Sequence, residues 1–247
     1  MTAPTWHPKP EYRTLTPEER DARRLPKRLE FANIPQKFQG WSWDSLQPYA
    51  GNEIESARYW VEAFVGGEIV EKSGIGLLLH GKPGQGKTAL ASVALQELLR
   101  GTQVSSWGTT WVEPYQPSRG AYMAPYRQFP LLTQRQFNGS TTEEQDNLLS
   151  DIRGERTDHT ATRLLVLDDV GKEHRTSSGW AASFFEDLIR VRYYQGWPTI
   201  ITTNLTLDEF ATEYGESAGS FIHEAFEHIK VASPTGDRRV TGKQVVG

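Results

Sequence analysis

Gly81-Lys82-Pro83-Gly84-Gln85-Gly86-Lys87-Thr88 matches the spacing G-x-x-x-x-G-K-[ST] at every fixed position. That order of residue types suits triphosphate chemistry. The glycines let successive backbone N–H groups curl around phosphate oxygens, the Lys87 ammonium can reach the β- and γ-phosphates, and the Thr88 hydroxyl can be offered to Mg²⁺. Gly81, Pro83, Gly84, Gln85, Gly86, Lys87, Thr88 and Ala89 are therefore predicted to contact a nucleoside triphosphate. A Gly/Pro turn that carries a lysine by chance is the plainer alternative, and the flanking sequence argues against it. Residues 75–80 (IGLLLH) form a short apolar run suited to a buried strand, and residues 88–100 (TALASVALQELLR) suit a helix. A phosphate held there would sit on a helix N-terminus.

A second group of chemically useful residues lies about 80 positions further on. Residues 164–169 (LLVLDD) are a continuous apolar run ending in two carboxylates, as expected of a central parallel strand. Beside a phosphate loop, Asp168 would help to hold Mg²⁺ and Asp169 would orient or deprotonate water. Adjacent carboxylates at a buried strand end repel each other, and a metal relieves that repulsion. A strand-terminating turn is the simpler reading, since Gly171 follows. The third candidate is Asn204, after the strand-like residues 199–202 (TIIT). Thr206-Leu207-Asp208-Glu209 already supplies a capping box for the next helix, which leaves Asn204 free at a strand end. Ligands of parallel sheets bind at the carboxyl ends of the strands, so Lys87, Asp169 and Asn204 form the predicted catalytic set, with Thr88 and Asp168 the metal ligands.

These residues need a scaffold of alternating strands and helices. Helical spacing also marks residues 53–65, 126–137, 143–153 and 180–194, with Ser178 a candidate cap for the last, and a further strand is placed around 121–124. Residues 101–120 are rich in Gly, Ser, Thr, Pro and Trp and read as an insertion or long loop. Residues 1–40 hold eight Lys/Arg against five Asp/Glu, with Thr16-Pro17-Glu18-Glu19 resembling a helix start. They read as an extension, partly helical, that is either a solvated tail or a partner-binding arm; residues 41–247 read as the main domain.

Composition narrows the function further. At 247 residues the chain suits one sizeable α/β domain. A formal net charge of −4 excludes a broadly basic nucleic-acid clamp, and the absence of cysteine excludes disulfides and thiolate metal sites. The six histidines show no ligand spacing. No apolar run approaches a membrane span, and the start lacks an apolar signal core, so a cytoplasmic protein is expected. Tyr115, Arg119, Tyr122, Tyr126, Arg127, Phe129, Arg135 and Phe137 interleave aromatic and basic groups in a way that suits stacking on single-stranded DNA, although core packing explains most such mixtures.

Taken together, GLLLHGKPGQGKTALA, LLVLDDVGKE and GWPTIITTNLTLDEF resemble the Walker A, Walker B and sensor 1 blocks of an AAA+ ATPase. More narrowly they are similar to DnaC-type replicative helicase loaders and the related IstB transposition ATPases. Ile34-Pro35-Gln36-Lys37-Phe38 with Trp43 looks like the segment that precedes the core in those families. The resemblance spans residues 34 to about 240. It implies a five-stranded parallel sheet flanked by helices, with the lid domain reduced or absent. It makes Asn204 sensor 1, and it makes Gly236-Asp237-Arg238-Arg239 the sensor 2 block, with Arg239 approaching the γ-phosphate and Arg238 next.

One departure stands out. Those loaders carry an arginine for the neighbouring subunit's site near the start of the helix after sensor 1, where this chain has Phe221, so weak hydrolysis is expected unless Arg175 or a partner's arginine substitutes. The resemblance implies loading of a hexameric replicative helicase onto DNA, with ATP-dependent homo-oligomers, and small size fits a phage-borne member. An IstB-like partner of a transposase, and a nucleotide-responsive adaptor with little hydrolysis, use the same motifs. A small-molecule phosphate-loop kinase fits less well, having no evident use for Asn204 beside paired aspartates.

Overall fold

The structure, a computed structural model, describes residues 16–46, 52–66, 74–101, 121–155, 162–172 and 179–232. Its centre is a five-stranded sheet of β1 (Gly76–His80), β2 (Ala121–Pro125), β3 (Leu164–Val170), β4 (Thr199–Thr203) and β5 (Phe226–Lys230), ordered β2-β3-β4-β1-β5. Every pairing is parallel. Parallel strands need helical crossovers, which cover both faces of the sheet and explain why β1, β3 and β4 are buried at nearly every position rather than at alternate ones.

Successive side chains on a strand point to opposite faces, so β1 serves two cores. Leu77 and Leu79 pack with α4 (Lys87–Gly101) and α3 (Asn52–Gly66), against Val93, Leu95, Trp60 and Phe64. Leu78 faces the other way, onto a layer built from α5 (Gln128–Phe137), α6 (Glu143–Arg153), α7 (Trp180–Tyr194), α8 (Leu207–Tyr214) and α9 (Glu216–Ala225). In that layer Phe185 lies within 5.5 Å of the rings of Tyr126, Phe210 and Tyr214.

Local signals set most boundaries. Thr142 and Thr206 each form a capping box, with the threonine hydroxyl taking an N–H from Gln145 or Glu209 and that residue's side chain reaching back. Gly154 ends α6 in the left-handed conformation at φ 70°. Ser178 lies outside the described residues, and the residue that caps α7 is Gly179, which offers no side-chain hydrogen bond.

The N-terminal segment is tied to this core. Helix α1 (Pro17–Phe31) begins with a capping box from Thr16 and Glu19. After it, Asn33 donates to the carbonyl of Met123 and Met123 N–H donates to Ala32, so the chain closes the free edge of β2. Buried Gln96 then holds residues 38–40 on α4, donating to the Phe38 carbonyl at 3.0 Å and accepting from Gly40 N–H at 2.9 Å. Between these lies a 3₁₀ turn, Gln36–Phe38, and after them the short α2 (Trp43–Leu46).

Four strands were placed from sequence, and β5 was not. Its residues, Phe226-Glu227-His228-Ile229-Lys230, follow α9 with no intervening loop, and only pairing with β1 makes them a strand. The described chain ends two residues after it, so the expected reduction of the lid concerns residues outside the described ones.

At the base of the sheet Arg192 is fully buried. Its guanidinium donates to Thr199 Oγ1 and to the carbonyls of Ile152, Thr162, Arg163 and Pro198 at 2.8–3.1 Å. Five N–H donors thus meet five acceptors and bind α6, α7, β3 and β4 together. Burial pushes the guanidinium down to about 9, which leaves it charged at neutral pH.

Candidate nucleotide site

The loop between β1 and α4 needs its glycines. Gly81, Gly84 and Gly86 lie at φ 144°, 78° and 95°, and a Cβ on Gly81 would come within 2.4 Å of the Val231 carbonyl oxygen. Helix α4 starts at Lys87, so its first free N–H groups face the loop. Lys87 is buried, and its ammonium donates to the carbonyls of Gly81 and Lys82 at 2.7 and 2.9 Å and to Asn204 Oδ1 at 2.8 Å. Two residues 117 positions apart are thereby joined across β1 and β4.

The paired carboxylates sit on the same rim through an irregularity in β3. Leu167 pairs with Ile201 and Val170 with Thr203, so β3 spends three steps where β4 spends two. Asp168 and Asp169 occupy this bulge, with Asp169 in the left-handed region at φ 59°. Thr202 pins it. Its buried hydroxyl accepts Asp169 N–H at 2.9 Å and donates to Asp168 Oδ1 at 2.7 Å. Burial pushes Asp168 above the usual carboxylate range; hydrogen bonds from Thr202 and Thr88 oppose the rise, and the charge of Asp169 adds to it. Asp169 points outward and pairs with Lys172 at 2.9 Å.

Gly84, Gly86, Lys87, Thr88, Ala89, Asp169 and Asn204 line one cleft. Its other wall is Lys37, Phe38, Trp41 and Leu46 from the N-terminal segment. Phe38 and Trp41 meet edge to face at 5.1 Å, and the Lys37 ammonium lies 4.5 Å above the Phe38 ring. The cleft therefore has a polar end made of N–H groups, an ammonium and the Asp169 carboxylate, and an apolar aromatic end. That division matches a phosphorylated ligand with a flat ring at its far end.

The rim oxygens also suit a small hard cation. The Thr88 hydroxyl and Asp168 carboxylate are within hydrogen-bonding reach of each other, so one ion could take both. Two protein oxygens with the remaining positions left to phosphate and water is the way Mg²⁺ is usually held. Among the described residues no cluster of three or more His, Cys, Asp or Glu side chains forms a cage for a metal by itself.

The structure thus brings Gly81, Gly84, Gly86, Lys87, Thr88, Ala89, Asp168, Asp169 and Asn204 to one strand-end rim, with Pro83 and Gln85 in the same loop. Arg238 and Arg239, and Arg175, lie outside the described residues, as do residues 102–120. Phe221 is a core residue, 3 % exposed, edge-on to Tyr193 and covered by the Arg190 guanidinium at 4.4 Å. Tyr126 and Phe129, grouped from sequence with possible DNA contacts, are fully buried, whereas Arg127, Arg135 and Phe137 are exposed and Tyr122 is half-buried. Tyr115 and Arg119 lie outside the described residues. Missed from sequence were Trp41 and Leu46, for want of a spacing rule, and Thr202, which reads as one more β-branched strand residue.

No protein-family model matches the chain, and no curated protein matches it either. Among solved structures its fold is similar to the DnaC helicase loader, with 22% identity and a TM-score of 0.56 over 80% of this chain and 100% of that one. It is similar to DnaI at 20% identity and TM-score 0.58, covering 86% of this chain and 100% of that one. AMPPCP-bound DnaA from Aquifex aeolicus matches at 14% identity and TM-score 0.53, with 86% of this chain and 56% of that chain covered. At these identities the likeness is one of fold. With its parallel five-stranded sheet and its Gly-rich loop at a strand end, the chain has an α/β fold like the AAA+ core, and its structural neighbours include the DnaC helicase loader, whose family its motifs resemble.

Proposed function

We propose that this chain is an ATP-dependent loader that delivers a hexameric replicative helicase onto DNA. The observation that carries the reading is the contact of Lys87 with Asn204 at 2.8 Å, on the rim that also bears Thr88, Asp168 and Asp169. A γ-phosphate entering the loop competes with Asn204 for the Lys87 ammonium, so ATP and ADP leave the end of β4 differently bonded. Because α8 and α9 follow β4 directly, such a change reaches the outer face of the molecule. The neighbouring solved structures of DnaC and DnaI, named as a helicase loader and a DnaI protein, support the choice of partner by fold.

The residues divide the work as follows. Backbone N–H groups of the loop from Gly81 to Gly86 and the Lys87 ammonium hold the phosphates, while Phe38, Trp41 and Leu46 cover the base. Thr88 and Asp168 would hold Mg²⁺, which would supply positive charge to the phosphates. Asp169 accepts the proton of the attacking water, and Asn204 orients that water and senses the γ-phosphate. Arg239 approaches the same phosphate from the C-terminal segment. Single-stranded DNA runs across the outer face of α5, where Arg127, Leu131, Arg135 and Phe137 are exposed and residues 121–142 contain no Asp or Glu. Within the N-terminal extension, residues 1–40, α1 serves as an arm toward the helicase through exposed Arg23 and Lys27, while Lys37 and Phe38 at its end line the cleft. The protein acts in the cytoplasm and self-associates with ATP; no described helix is long and apolar enough to cross a membrane.

Burial of Phe221 favours a second reading, an adaptor that binds nucleotide and scarcely turns it over. A pull-down against the replicative helicase, using wild type and Lys87→Ala with and without ATP, tests the loader. Capture by wild type that depends on ATP and on Lys87 supports it; no capture by either protein removes it, and capture of a transposase instead selects the transposition ATPase. Turnover that stays absent with DNA and helicase present selects the adaptor.

A further inference from the structure

The rim holds a cation whose use is not explained by phosphate binding through Lys87. Lys172 follows the turn at Gly171, φ 93°, just beyond β3, and its ammonium lies 2.9 Å from Asp169 Oδ1. Both side chains remain about two-fifths exposed, at 44% and 40%. Ion pairs of that kind hold weakly, so this one is poor at fixing the fold and easy to exchange. Lys87 is already committed to three acceptors. On the side of the sheet where the resemblance expects an arginine, residues 207–225 carry Asp208, Glu209, Glu213, Glu216 and Glu224 and neither Lys nor Arg. Arg190, the cation that covers Phe221, is itself held by Glu186 and Ser217.

We propose, resting on the ATP reading above, that Lys172 is a further catalytic residue of this site: its ammonium passes from Asp169 to the γ-phosphate when ATP enters. A phosphate bearing more than one negative charge outcompetes a single exposed carboxylate for an ammonium. The transfer frees Asp169 to accept a proton from water. It also places positive charge, from within the same chain, near oxygens on which charge is spread in phosphoryl transfer. ADP, which lacks the γ-phosphate, leaves the ion pair with Asp169 intact.

Equilibrium titration of the full chain with a non-hydrolysable ATP analogue and with ADP, both with Mg²⁺, tests the transfer. Lys172→Ala is expected to weaken analogue binding about tenfold, as for loss of one charge-assisted contact, and ADP binding by less than about twofold. Lys172→Arg should keep most of the analogue affinity. Asp169→Asn should raise analogue affinity, and the gain should shrink when Lys172→Ala is added. Equal effects of Lys172→Ala on both nucleotides, or no effect on either, overturn the proposal while leaving the nucleotide site in place. Wild type that binds neither nucleotide overturns the ATP reading and the proposal with it.

Discussion

Replacing Thr202 by valine removes one hydroxyl and changes little else in shape, yet that hydroxyl serves both aspartates. It donates to Asp168 Oδ1 at 2.7 Å and accepts the bulged Asp169 N–H at 2.9 Å, and the residue is fully buried. The variant loses two hydrogen bonds and strands a part-buried N–H. At about 1 kcal/mol for each bond and a further 1–2 kcal/mol for the orphaned donor, the cost is roughly 3–4 kcal/mol. For a domain of this size each kcal/mol moves the midpoint by roughly 2–4 °C, so the melting temperature should fall by roughly 6–16 °C. Asp168 also loses an interaction that favours its charged form, and Mg²⁺-dependent nucleotide affinity should drop more than affinity measured in EDTA. Thr202→Ser, which keeps the hydroxyl, should restore the Mg²⁺ dependence. Thermal melts and nucleotide titrations with and without Mg²⁺ give both readouts. A valine variant with wild-type melting and Mg²⁺ dependence, or a serine variant as impaired as the valine one, would refute the pinning argument.

Three further outcomes follow from the same structure. Arg192→Met leaves four buried carbonyls and the Thr199 hydroxyl without their donor, and denaturant unfolding should show a loss of about 3–5 kcal/mol; Arg192→Lys, with three donors for five acceptors, should recover only part. Phe221→Arg should not create an activating arginine but should destabilise the chain by more than about 3 kcal/mol, because it buries a charge beside Arg190; a well-folded variant with faster ATP turnover would show that position 221 can reach a neighbouring site. Burial first, then the charges of His228, Lys230 and Lys87, hold His80 below the usual histidine range, so the unfolded chain takes up its proton before the folded one does. Its contribution to stability is present above about pH 6.5 and is lost as pH falls toward the folded value, and His80→Gln should flatten the decline in melting temperature below pH 6.5.

The elements that build the candidate site were legible because their signals are local. A phosphate loop is a run of eight residues whose spacing is fixed by the ligand it wraps, and the capping boxes at Thr142 and Thr206 are set within four residues. Apolar runs located four strands for the same reason. Residues 226–230 gave no such signal: three of the five can carry charge, and their strand conformation is imposed by pairing with β1. Phe221 and Tyr126 show the converse, aromatic residues whose chemistry allowed a surface role until packing placed them in the core.

By itself the sequence determined which residues could bind phosphate, which carboxylates ended a buried strand, and that the scaffold alternates strand and helix. Tertiary structure decided that Asn204 meets Lys87, that Thr202 joins the two aspartates, and that residues 37–46 wall the cleft. The physical reason lies in the range of the interactions. Propensity, capping and turn conformation depend on neighbours in the chain, whereas a one-residue bulge in β3 and the contact of positions 87 and 204 depend on how strands far apart in sequence are set in register.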